Sequence, residues 1–158
     1  MHLLHQGWPL RRAFPAPTLD AIEEAISAGE QRHGAELRFV VEARLGALAV
    51  WAGVTPRARA AALFSDLRVW DTEANNGVLV YVLLADRAVE IVADRGARAR
   101  VQAEVWNKAC ATMTTAFGAG DFQGGTVRAL ASLAQALATA FPPDADNPDE
   151  LPNRPTVL

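Results

Sequence analysis

A chain of 158 residues has room for one domain of ordinary size and a tail. Its formal net charge of −3, from 15 basic and 18 acidic residues, is too mild for nucleic-acid binding by bulk charge. A single cysteine, Cys110, excludes an internal disulfide framework and a cysteine-based zinc site.

Residues 1–17 carry Pro9, Pro15 and Pro17 beside Arg11 and Arg12, a pattern that resists regular structure. Leu3, Leu4, Trp8 and Phe14 make this stretch an arm packed on the body. It has no apolar core followed by a small-residue cleavage site, so no signal peptide is read. Thr18 is the expected N-cap of a first helix over 19–32, with Leu19, Ile22 and Ile26 inward and Gly34 as its stop. Residues 36–42 (ELRFVVE) alternate: Leu37, Phe39 and Val41 face one way, Arg38 and Val40 the other, which is a first strand. Residues 44–54 are apolar without a clean period and read as a long loop or flap. Pro56 opens a second helix, 56–69, with Ala60, Leu63, Phe64 and Leu67 as its stripe.

The run from Gly77 to Ala85 is apolar on both faces, as in the central strand of a covered sheet. At nine residues it is far short of the roughly 20 that span a bilayer. A tight turn on Asp86-Arg87 leads to an edge strand, 88–94. A third helix is expected over 97–117, with Val101, Val105, Trp106, Cys110, Met113 and Phe117 inward. A fourth follows over 122–140, striped by Val127, Leu130, Ala134 and Leu137. Residues 142–158 hold five of the nine prolines and four acids, and read as a disordered tail. Only Arg154 offsets those acids, so the body is neutral and 13 of its 14 bases are Arg.

The first strand, second helix and second strand form a right-handed crossover, so the two strands run parallel. The expected fold is an α/β/α three-layer sandwich around a small mixed sheet: a parallel strand pair plus an antiparallel hairpin edge, in one domain over 18–141.

Trp70-Asp71, Asn75-Asn76-Gly77-Val78-Leu79, the Asp86-Arg87 turn, Asp94-Arg95-Gly96 and Gly120-Asp121-Phe122 with Gly124 or Gly125 resemble motifs of the TPM domain family, also called TPM phosphatases. The resemblance covers about residues 18–141. Glu30 to Glu42 (EQRHGAELRFVVE) is similar to the short bacterial members found beside LemA-type membrane proteins. The resemblance implies an α/β/α sandwich and, in some members, weak phosphatase activity and divalent-ion binding.

If the hairpin turns on Asp86-Arg87, Leu79 faces Asp94, which then lies beside Asn76 at the start of the central strand. Glu36 opens the parallel neighbour at the same end, and Asp71 precedes it. Glu36, Asp71, Asn75, Asn76 and Asp94 are therefore candidate ligands for Ca²⁺ or Mg²⁺, hard cations that take several oxygens. Such an ion would polarise a phosphoryl oxygen, with Asp71, Asp94 and Arg95 as the catalytic set. The plainer reading makes them loop residues bonded to their own backbone.

The opposite end offers Glu42 and Asp86 as a second-choice metal pair, since ligands favour the carboxyl ends of parallel strands. The plainer reading is a turn Asp and a Glu paired with Arg44 or Arg87. His33 is a ligand or general base, or a histidine gaining from the helix dipole. Cys110 is core, and Ala116 stands where a Cys-x5-Arg phosphatase needs its arginine. Asp144-x-Asp146 follows no strand, Gly118-x-Gly120 joins two helices, and no Ser-His-Asp spacing is evident.

The flap, with Leu45, Leu48, Val50, Trp51 and Val54, is a candidate partner surface centred on Trp51, Leu48 and Val54. Its alternative is folding back on the sheet. The expected function is a non-catalytic interaction or accessory module with a membrane-associated protein partner. The alternative is a weak divalent-cation-dependent phosphatase. The expected location is cytoplasmic, including the periphery of the inner membrane.

Overall fold

The alternation of residues 36–42 produces β1 (Glu36–Glu42), and its two faces end in two different cores. The computed structural model describes residues 9–143 and 151–158. β1 pairs in parallel with β2 (Gly77–Leu83), Glu36 opposite Gly77 and Glu42 opposite Leu83. β2 is buried along its whole length, as a strand apolar on both faces must be. β3 (Ala88–Ala93) pairs antiparallel on its far side, and the strand order is β3-β2-β1-β4.

One face carries Leu37, Phe39, Val41, Val78, Val80 and Val82 against α2 (Ala16–Glu30), α6 (Ala103–Gly118) and α7 (Phe122–Ala140). The other carries Val40, Leu79, Tyr81 and Leu83 against α4 (Pro56–Asp66). Helices thus cover both faces of a mixed sheet, the expected α/β sandwich.

Several details depart from expectation. The arm is described from Pro9 and forms a short α1 (Leu10–Ala13); Leu3, Leu4 and Trp8 lie outside the described residues. α2 starts three residues early, at Ala16, because Pro15 and Pro17 suit a first turn whose N–H groups need no helical partner. Thr18 is therefore no cap; it is buried, and its hydroxyl donates to Gln123 Oε1 at 3.0 Å. The flap contains a helix, α3 (Ala47–Trp51), rather than loop alone. The expected third helix is two: α5 (Arg95–Arg100) and α6, broken where Val101 turns extended and buries its side chain.

The hairpin register differs from the expected one by two residues: Leu83 pairs with Ala88 and Leu79 with Val92. A two-residue turn requires left-handed backbone that Asp86-Arg87 does not readily supply. The connection is four residues, 84–87, with Arg87 alone at positive φ (51°). A shift of two leaves every side chain on its expected face. Asp94 still reaches the start of β2, where its N–H donates to Gly77 O at 2.8 Å.

The largest difference lies after α7. Residues 144–150, including Asp144 and Asp146, lie outside the described residues. Residues 151–158 are ordered rather than disordered. β4 (Thr156–Val157) pairs in parallel with Val40 and Val41, Leu151 enters the α4-side core, and Arg154 bridges to Asp20 and Glu23.

Candidate functional site

β1 delivers Glu42 to the carboxyl end of the parallel pair, on the same face as Val40. Register places Tyr81 opposite Val40, so its hydroxyl reaches along the sheet to Glu42. That hydroxyl donates to Glu42 Oε1 at 2.6 Å. Arg59, one turn into α4, forks onto the same carboxylate: Nε to Oε1 at 2.9 Å and Nη2 to Oε2 at 3.1 Å. Glu42 is 8% exposed and Tyr81 0%. Burial pushes the Glu42 carboxyl up, but the Arg59 fork and the Tyr81 hydroxyl outweigh it and hold it below its ordinary value. Burial and the adjacent carboxylate push the Tyr81 phenol up.

Glu42 therefore has partners other than the expected Arg44 or Arg87, and its oxygens are occupied. Asp86 is exposed in the turn. The signal for the triad was in the sequence. The chain's one tyrosine sits in a buried strand and needs a hydroxyl partner, and the parallel register points it at Glu42.

At the other end, Glu36, Asn76 and Asp94 lie where β1 and β2 begin. Asn76 is buried; its Nδ2 donates to Gly34 O at 2.7 Å and its N–H to Thr72 Oγ1 at 3.1 Å. Asn76 Oδ1 is buried without a hydrogen-bond partner. Asp94 caps α5, accepting from Arg95 N–H at 2.7 Å, so the pair acts as a helix start. Asn75 is exposed at φ 52°, and its carbonyl accepts from Gly96 N–H at 2.8 Å. Asp71 is exposed and tied to Arg68, Nη2 to Oδ2 at 2.8 Å. Among the described residues, no three His, Cys, Asp or Glu side chains are grouped to hold a metal ion. The five expected ligands are thus not brought together as one carboxylate cage.

His33 lies just beyond α2, 2% exposed, its Nδ1 accepting from Ala35 N–H at 3.2 Å. Burial drives its pKa down to about 4, opposite to the gain expected from a helix dipole. Such a histidine stays neutral in the native state while the unfolded chain protonates near pH 6.5. Its contribution is fully present above pH 6.5 and lost as pH falls toward 4, by about 3 kcal/mol in all. Urea melts of wild type should lose stability between pH 6.5 and 5. The His33→Asn chain should be flat there, and an equal slope in both would sink the assignment. Cys110 is half-buried on α6 as expected, and burial pushes its thiol up to about 11, away from reactivity.

α3 carries the most exposed apolar side chains described: Trp51 at 90%, Leu48 at 85% and Val50 at 64%. Leu45 is buried and Val54 packs on the α4-side core, so two of the five expected flap residues anchor it. No helix among the described residues is long and apolar enough to cross a membrane.

The family described as TPM domain matches residues 12–136. The chain is similar to the NMR structure of BA42 protein from the psychrophilic bacterium Bizionia argentinensis, with 29% identity, 90% of this chain and 94% of that one covered, and a TM-score of 0.80. It is also similar to the N-terminal domain of a protein from P. gingivalis, with 16% identity, 80% and 77% covered, and a TM-score of 0.65. The second likeness is one of fold alone. No curated protein matches the chain.

Proposed function

The chain belongs to the TPM domain family, and we propose that it is a non-catalytic accessory module acting with a membrane-associated protein partner through α3. The observation that carries this reading is the α3 surface. Leu48, Val50 and Trp51 stand in solvent on an ordered element anchored by Leu45 and Val54. By contrast, both carboxylate oxygens of Glu42 are taken up by internal bonds from Arg59 and Tyr81. The likeness of residues 30–42 to members found beside LemA-type proteins motivates a membrane-associated partner, at the periphery of the inner membrane. Tagged protein should retain a partner from detergent-solubilised membranes, and Trp51→Asp should release it. Equal retention by both chains ends the reading.

A weak phosphatase dependent on Ca²⁺ or Mg²⁺ is the second reading. The orphan Asn76 Oδ1, at the end shared by Glu36 and Asp94, favours it, since a buried oxygen without a donor suits a hard cation. Asp71, Asp94 and Arg95 would carry the chemistry. Hydrolysis of p-nitrophenyl phosphate with either ion should then exceed background and vanish in Asp94→Asn. Asparagine caps a helix as well as aspartate does, so that variant keeps α5. A background rate in wild type dismisses it.

A further inference from the structure

From Leu45 to Val54 the chain has no polar side chain: Leu-Gly-Ala-Leu-Ala-Val-Trp-Ala-Gly-Val. α3 lies in the middle of this stretch. At about 100° per residue Leu48, Val50 and Trp51 fall within an arc of about 160°, and Ala47 and Ala49 leave no polar side chain on the rest of α3. A protein groove is matched by one apolar stripe, with polar residues on the rest of the helix. A short exposed helix with no polar side chain also matches the apolar boundary of a bilayer.

The charges nearest α3 in sequence are basic. Residues 43–65 hold Arg44, Arg57 and Arg59 and no acid. Arg59 is committed to Glu42, and Arg57 lies 3.8 Å from Glu90 while remaining 58% exposed. Arg44 is exposed where the chain leaves β1 for α3. The hairpin turn adds Arg87 and one acid, Asp86, at the same rim, joined by the Ala85 N–H to Ala43 O bond of 2.9 Å.

We infer that α3 inserts directly into the surface of an anionic lipid bilayer, with Leu48, Val50 and Trp51 in the boundary between headgroups and acyl chains and Arg44 on lipid phosphates. An interfacial helix lies in the plane of the boundary with its apolar face buried by about 5–10 Å, a depth that large side chains such as Leu48 and Trp51 on α3 reach. Tryptophan favours that boundary, and basic flanks add attraction to anionic headgroups. This rests on the accessory-module reading and deepens it: the lipid around the partner is the first surface that α3 meets.

The test is co-sedimentation of the whole chain with protein-free vesicles. One set is phosphatidylcholine alone, and the other contains one third phosphatidylglycerol. Wild type should partition onto the anionic set and weaken in high salt. The Leu48→Asp/Trp51→Asp chain should lose about tenfold or more. Arg44→Glu should lose about fivefold. All three positions are exposed, so each variant should melt with wild type. Failure of wild type to bind anionic vesicles overturns the inference, as does binding indifferent to Leu48 and Trp51. If vesicles fail while a partner is still retained through Trp51, the inference falls and the accessory reading stands. If vesicles bind and no partner is retained, the reverse holds. A dimer dispersed by Trp51→Asp without vesicle binding would assign α3 to a second copy and overturn the inference.

Discussion

Replacing Glu42 with alanine is expected to cost about 3 kcal/mol of unfolding free energy. Breaking a buried charged pair costs about 3–5 kcal/mol, because the surviving partner is left without compensation. Here the low end applies. The Arg59 side chain is 30% exposed and can swing into water once released. The Tyr81 hydroxyl cannot: it sits in the middle of β2, with no exposure at all. Tyr81→Phe should cost less, about 1–2 kcal/mol, since Glu42 keeps the Arg59 fork. The two changes should not add, because the alanine variant has already lost the bond that Phe removes. Urea denaturation of both variants and the double variant measures this. A loss below about 1 kcal/mol in Glu42→Ala would show the triad to be ornamental.

Gly77→Ala is expected to be at least as damaging. A Cβ at Gly77 would lie 2.0 Å from the Val69 carbonyl oxygen and 3.2 Å from Val69 Cγ1. The first obstacle is backbone, so no rotamer change relieves it. Gly77 is pinned on two sides: it pairs with Glu36 of β1, and its carbonyl accepts from Asp94 N–H. Either the 69–76 loop or the start of the central strand must move. Overpacking of a well-filled core costs about 1–3 kcal/mol, and a clash with backbone belongs at or beyond the upper end. Gly46→Ala is the control, since a Cβ there has nothing within 4 Å. It should change stability by less than about 0.5 kcal/mol. Chemical melts of the two variants side by side check the contrast; equal melting would contradict it.

The elements that the sequence marked most clearly were those whose pattern is internal. The alternation of residues 36–42 became β1 with the same bounds. The stripe beginning after Asp121 became α7 over Phe122–Ala140, with Asp121 capping through Gly124 N–H at 2.9 Å. The doubly apolar run became the buried β2, and the crossover between them came out parallel. The motifs from Trp70 to Gly96 and at Gly120 to Gly125 resemble those of the TPM domain family, whose model matches residues 12–136. The candidate site was less legible. In the sequence Glu42 stands out by its place at a strand end, but its partners are 17 and 39 residues away. The expected convergence of Glu36, Asp71 and Asp94 gave way to local bonds, Asp71 with Arg68 and Asp94 with its own helix start. A turn or cap partner three residues away is always close, whereas a distant carboxylate must be carried there.

The sequence by itself determined the period of β1, β2, β3, α2, α4 and α7, the faces that they bury, and the neutral, arginine-rich body. These follow from side-chain type and spacing along one segment. The tertiary structure alone decided three things. It folded Thr156–Val157 onto the open edge of β1, where strand hydrogen bonds were available to a proline-rich segment that composition marked as unstructured. It fixed the hairpin two residues from the tight-turn register, because the backbone of residues 84–87 must pass through one left-handed residue at Arg87. And it chose Arg59 over Arg44 for Glu42: packing α4 on the sheet set the guanidinium of Arg59 against a carboxylate that burial had made costly to leave alone.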